Sequence, residues 1–233
     1  MTSDRRHFLA ATAALGLPTL AAYAADKPKK DDKKDEEEVG AAEDLMREHG
    51  VLNRILLIYE EGLRRLHAKE EVSPAVFRDT ADLVRKFVED YHEKLEENFI
   101  FPEFEKRKKM TDLVKVLREQ HQAGRAVTDV ILRSAADDRF KKEDARRELV
   151  ESARAFIRMY RPHEAREDTV LFPALHKILS AKQLDELGEK FEKEEDRLFG
   201  DEGFEKNVDK VAAIERQLGI YDLAQFTPRV PGK

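Results

Sequence analysis

Cysteine is absent from the 233 residues, and so is tryptophan. Without cysteine the chain has no disulfides, thiolate metal sites, iron–sulfur clusters or lipidated thiol. Any metal it holds must be bound without thiolate. Glycine (10) and proline (8) are sparse, which leaves few turn positions and favours long helices. Neither charge sign dominates: 43 basic side chains face 49 acidic ones, a net of −6. That mild excess argues against nucleic acid as the main partner. The Ala-rich stretch from Phe8 to Ala22 is too short and too weakly apolar to span a membrane. What the chain has in plenty is charge, 39%, beside 41% hydrophobic residues. This is the balance of a water-soluble, all-helical single domain large enough to bury a core.

Residues 1–25 read as an export signal. Asp4-Arg5-Arg6-His7-Phe8-Leu9 has the twin-arginine pattern of a polar residue, two arginines, a spacer and two apolar residues. The Ala-rich run follows, and Ala22-Tyr23-Ala24 supplies a small-x-small cleavage site. The expectation is a periplasmic, or otherwise exported, protein. Residues 26–40 are almost all Lys, Asp and Glu and read as a disordered, charged linker.

One eleven-residue pattern occurs twice. His92-Glu93-Lys94-Leu95-Glu96-Glu97 ends in Phe101-Pro102, and His163-Glu164-Ala165-Arg166-Glu167-Asp168 ends in Phe172-Pro173. A lone histidine precedes each copy, His49 by 43 residues and His121 by 42. On a helix, residues i and i+4 sit about 40° apart and roughly 6 Å along the axis. His92 with Glu96, and His163 with Glu167, can therefore aim an imidazole and a carboxylate at one point. Metal sites in helix-bundle cores are built this way.

Apolar periodicity predicts the helices that carry these residues. The first runs from about Ala41 to Lys69 with His49 on the stripe of Leu45, Leu52, Leu56 and Tyr59. The second starts at Ser73-Pro74, with Ser as cap, and is expected to end or kink at Pro102. The third starts near Thr111 with His121 and Gly124 on its inner face. The fourth starts near Lys141 and carries Phe156, Met159, Pro162 and His163. Ser180-x-x-Gln183 is a capping box for a fifth helix, and a sixth covers Gly203 to Leu218, closed by Gly219. The resulting domain plan is a bundle over 41–180, further C-terminal helices over 181–219, and an irregular tail over 220–233. The C-terminal helices carry no chemistry and are expected either to cover the bundle or to dock a protein partner.

Any one of these histidines alone would be an ordinary core residue. Four histidines and two glutamates on inward faces are a different matter. Each buried unpaired charge costs several kcal/mol, against a net domain stability of about 5–15 kcal/mol. His–Glu pairing offsets part of that cost, and a coordinated cation offsets more. Imidazole with carboxylate and no thiolate suits iron, zinc or manganese. Six ligands overfill one tetrahedral zinc but suit two octahedral ions joined by carboxylates. Glu93 and Glu164, about 100° round the helix from their histidines, are weaker candidates, as extra ligands or as hydrogen-bond acceptors behind the histidines.

In this pattern the chain resembles the hemerythrin-like (HHE cation-binding) domain over about residues 41–180. The resemblance implies an up-down, left-handed four-helix bundle with a non-haem di-iron centre and a bridging oxygen species. It implies ligand roles for His49, His92, Glu96, His121, His163 and Glu167. Zinc or manganese stays open as the metal. Among exported relatives it implies folding and metal loading before twin-arginine transport. The chain departs from the oxygen-carrying members, which place a second histidine one turn after the third-helix one, where Arg125 stands here. Their last carboxylate is an Asp five residues after its histidine; Asp168 has that spacing, but Glu167 mirrors Glu96. The departure points away from reversible oxygen carriage.

The function expected is therefore an exported di-iron protein that binds or senses a small ligand such as oxygen, nitric oxide or peroxide, rather than a dedicated enzyme. Val88, Phe99, Phe101 and Phe172 are expected to exclude water. A di-iron oxidase or peroxidase-like enzyme, with Tyr91 or Tyr160 as redox neighbour, is the first alternative. A non-catalytic metal-binding envelope protein is the second.

Overall fold

The computed structural model describes residues 39–230. The predicted export signal, 1–25, and most of the charged linker, 26–40, lie outside the described residues. Helix α1 is Ala41–Ala68, opened by acidic Glu43 and Asp44, which suit the helix dipole, and closed by left-handed Lys69. Helix α2 is one unbroken rod of five segments. Pro74–Leu83, Glu93–Leu95 and Phe101–Lys106 are α-helical; Val84–His92 and Glu96–Ile100 are π-helical. Ser73 caps it by accepting from the Ala75 N–H. Helix α3 is Thr111–Ser134 and α4 the short Asp137–Phe140. Helix α5 runs through Glu143–Arg166, a π-helical Glu167–Leu171, and Phe172–Ile178. Helices α6, Ala181–Phe199, and α7, Gly203–Leu218, follow, the first with its capping box formed and the second closed by Gly219 at φ 68°.

The sequence suggested that Pro102 ends or kinks the second helix; it does not end it, and α2 continues for another turn to Lys106. A proline clashes with the carbonyl four residues back and leaves it without a donor. The π-helical turn just before it widens the ring of hydrogen bonds by one residue. The Phe101 N–H accordingly reaches back to the Glu96 carbonyl. Pro173 stands in the same relation to Glu167–Leu171.

Helices α1, α2, α3 and α5 alternate in direction and pack each on the next, with α1 closing on α5. This is an all-α, up-down four-helix bundle with additional C-terminal helices. One end of its core is aromatic, with Tyr59 against Phe77 and Phe156. Helix α7 lies along α1 and α2, and α6 along α1 and α7. Their apolar faces, including Leu187, Phe191, Val211 and Leu218, are buried. Of the two roles expected for them, the structure has them covering the bundle. Arg54 on α1 pairs with Glu215 on α7 through two hydrogen bonds, at 3.0 and 2.5 Å. Val51, Ile55 and Ile58, on the same face of α1 as Arg54, are buried as a result. No helix among the described residues is long and apolar enough to cross a membrane.

Candidate metal centre

Each of the four bundle helices contributes one histidine to a single buried spot. His49 and His92 bring their Nε2 atoms to 3.0 Å, and His121 and His163 bring theirs to 3.2 Å. Glu96 and Glu167 lie between the two pairs. Glu96 Oε2 is 3.7 Å from His92 Nε2 and 3.4 Å from His121 Nε2. Glu167 Oε2 is 3.5 Å from His49 Nε2 and 3.2 Å from His163 Nε2. Thus each carboxylate touches both histidine pairs, and each comes from a different half of the chain. None of the six side chains is more than 4% exposed. All six residues proposed from the sequence are in this cluster.

What orients the imidazoles is the more telling feature. Each Nδ1 faces an oxygen: Asp168 at 2.7 Å from His49, Glu48 at 2.7 Å from His92, Glu97 at 3.1 Å from His121, and Gln120 Oε1 at 2.8 Å from His163. A carboxylate or amide oxygen only accepts, so these contacts place the ring proton on Nδ1. The Nε2 lone pairs then point at one another across 3.0 and 3.2 Å, and no proton remains to join them. Between them both oxygens of Glu96 and both of Glu167 are buried with no hydrogen-bond donor. Converging lone pairs and unpaired carboxylate oxygens repel unless a cation lies among them.

The spacing fits a cation. With metal–nitrogen bonds of about 2.1 Å, two ligands at a right angle lie about 3.0 Å apart. Two clusters meet the geometry of a binding site, Glu96-His121-His163-Glu167 and His49-His92-Glu96, and they share Glu96. The residues round the shared Glu96 could thus hold metal on either side of it. Burial and the neighbouring Glu167 carboxylate push Glu96 well above the usual carboxylate range. Glu167 is held low in spite of its burial, by His163, His49 and His121. Burial pushes His49 down, and His121 down to about 4. Burial thus disfavours the charged form of His49 and His121, and a ligating imidazole must be neutral.

Neither weaker candidate lies among the six. Glu93 accepts from the Tyr160 hydroxyl at 2.6 Å and pairs with Arg125 at 2.7 Å. Glu164 accepts from Asn53 at 3.1 Å. A third possible cluster, Glu93-Glu97-His121, has the Arg125 guanidinium 2.7 Å from both Glu93 and Glu97. That position already holds a cation. Asp168, weighed as an alternative ligand from its spacing, instead holds His49 from behind. The roles of Glu48, Gln120, Glu97 and Asp168 were not read from the sequence. A signal was available: each lone histidine follows a Glu or Gln, and each central glutamate precedes an acid.

Apolar cover comes from the Phe-Pro pairs. Phe172 stacks on His49 at 5.7 Å and Phe101 on His121 at 5.4 Å. Phe99, expected beside them, packs on Phe191 of α6 instead. The π-helical turn points it outward, towards the cover. Tyr91 likewise packs on Phe87 and Phe199. Of the two tyrosines only Tyr160 borders the centre, edge-on to His163.

Comparison with known proteins agrees with this geometry. The description "Hemerythrin HHE cation binding domain" matches residues 40–175 and, in a second match, 112–222. Uncharacterized proteins of Mycobacterium bovis (Mb2018) and Mycobacterium tuberculosis (Rv1995) are each 49% identical over 231 residues, covering 96% of this chain and 91% of theirs. No solved structure matches the chain.

Proposed function

Since the chain belongs to the hemerythrin HHE cation-binding family, we propose that it is a non-haem di-iron protein that binds or senses a small ligand such as oxygen, nitric oxide or peroxide. The observation that carries this reading is the pair of facing Nε2 contacts around the unpaired oxygens of Glu96 and Glu167. His49 and His92 would hold one ion, His121 and His163 the other, with Glu96 and Glu167 reaching both. Iron in those positions would supply reversible one-electron chemistry and a coordination position for a small molecule. The protein's part is to fix the four rings by their Nδ1 partners and to exclude water with Phe101 and Phe172. Enclosure by those rings and by helices on all sides favours a small ligand over a bulky organic substrate. Arg125, where oxygen carriers have a further histidine, supports sensing or binding over carriage.

We also place the protein outside the cytoplasm, on the strength of Arg5-Arg6 and the apolar run and cleavage site that follow. A specific contact favours a second reading, a peroxidase-like enzyme: Tyr160 bridges from Glu93 to the edge of His163. Peroxide turnover with a reductant, lost in Tyr160→Phe, would select it.

The deciding experiment is elemental analysis with an absorption spectrum of protein purified from its own host, before and after reduction and exposure to air. Iron near two per chain, with a visible charge-transfer band that responds to oxygen or peroxide, is the expected result. Stoichiometric zinc, or a colourless protein with no bound metal, would refute the di-iron reading.

A further inference from the structure

The two ion positions share the Glu96 and Glu167 carboxylates, which lie at 3.4 and 3.2 Å from the His121/His163 pair and at 3.7 and 3.5 Å from the His49/His92 pair, but the support behind their histidines differs. Behind the His49/His92 pair stand two carboxylates, Asp168 and Glu48, each 2.7 Å from an Nδ1. Behind the His121/His163 pair stand one carboxylate and one amide. The amide is Gln120, 2.8 Å from His163 Nδ1. The carboxylate is Glu97, whose contact with His121 is longer, 3.1 Å, and whose charge is shared with Arg125 and Lys94. One turn after each lone histidine the chain again differs: Asn53 after His49, Arg125 after His121. The differences in support behind the rings act in one direction. A carboxylate on Nδ1 makes an imidazole a stronger donor to a metal, an amide does so less, and a nearby guanidinium repels a cation.

We infer that the centre is graded: the His49/His92 position is the tight one and fills first, and the His121/His163 position is the weak one, with Gln120 and Arg125 setting the difference. This rests on the reading of the six residues as a two-ion site. Gln120 and Arg125 touch ligands rather than metal, so they are positioning residues. Changing the acceptor behind a ligating histidine typically alters metal affinity about 10- to 100-fold, and a gap of that size is expected between the two positions.

The test is anaerobic calorimetric titration of the metal-free full chain with Fe2+. Two binding steps separated about 10- to 100-fold are expected. Gln120→Glu should tighten the weak step about tenfold and leave the tight one in place. A substitution that merely damaged the fold could not raise an affinity, so this arm separates positioning from structure. His163→Ala should remove the weak step and His92→Ala the tight one, with circular dichroism checking that both variants remain helical. A single step of two equal sites, or Gln120→Glu leaving both constants unchanged, would overturn the grading while leaving the two-ion site standing. No Fe2+ binding at all would overturn the site itself, and the grading with it.

Discussion

Gly124 to Ala is a substitution whose sign the structure decides against helix propensity. Gly124 is buried in the middle of α3, where alanine should favour the helix by about 1 kcal/mol. A Cβ placed there, however, would meet the Tyr160 hydroxyl oxygen at 2.1 Å and its Cζ at 2.9 Å. Tyr160 is 1% exposed and its hydroxyl is committed to Glu93 at 2.6 Å. Two outcomes are open to the ring. If it stays, the core is overpacked at a cost of about 1–3 kcal/mol. If it swings away, the hydroxyl leaves an acceptor that also faces Arg125, and such bonds contribute about 1.5–3 kcal/mol. After subtracting the helix gain, Gly124→Ala should lose up to about 2 kcal/mol. Urea denaturation at unchanged slope is the assay. In a Tyr160→Phe background the 2.1 Å contact is gone, and the penalty for Gly124→Ala should shrink by about half. A Gly124→Ala chain more stable than the parent by about the helix gain of 1 kcal/mol would refute the claim that glycine is there to admit the tyrosine.

Three further outcomes are expected. Fe2+ added anaerobically at a hundredfold excess over its dissociation constant should stabilise the chain by about 2.7 kcal/mol per independent site; Glu96→Gln should lose most of that gain, and a melting temperature indifferent to Fe2+ would count against a cation-linked centre. Arg54→Ala should cost about 1.5 kcal/mol, the low end for a bond between charged partners, because Arg54 is only partly buried; hydrogen exchange should then speed up in α7 while α3 and α5 keep their protection. Glu89 is pushed above the usual carboxylate range by burial, against the pull of Thr128 and Arg85. A raised folded-state pKa contributes stability that is full below the unfolded value of about 4.3 and is lost as pH rises through the folded value. The stability of the parent relative to Glu89→Gln should therefore fall as pH is raised from 4 towards neutrality, and a flat or rising difference in denaturation curves would contradict that.

What could be read ahead of the structure was whatever local chemistry settles. Ser73-Pro74, Ser180-x-x-Gln183 and Gly219 mark helix ends by side-chain or backbone capping, and the helices begin and end there. His92/Glu96 and His163/Glu167 were legible because a one-turn spacing needs no tertiary knowledge. The π-helical turns were not legible, although Pro102 and Pro173 each mark one. A proline in a helical pattern normally signals an end, and only packing on both sides keeps these rods intact. The buried face of Val51, Ile55 and Ile58 was missed for a similar reason. Those residues are covered by α7, a helix far along the chain, and periodicity within α1 says nothing about it.

The partners behind the histidines show how the halves depend on each other. His49, from the first half, is held by Asp168 and stacked by Phe172, both from the second. His121, from the second half, is held by Glu97 and stacked by Phe101, both from the first. The oxygens of Glu96 and Glu167 are likewise shared across both pairs. A half on its own would therefore have a free-turning lone histidine and no cover over it. The repeat in the sequence records two copies of a pattern, but the site belongs to neither copy. Orientation of each lone ring comes from across the bundle, so opening either half releases ligands in both. That coupling explains how six polar groups can be kept buried in one place. They are fixed by contacts that form only when all four helices are in position, and the centre and the bundle should therefore be lost together in unfolding.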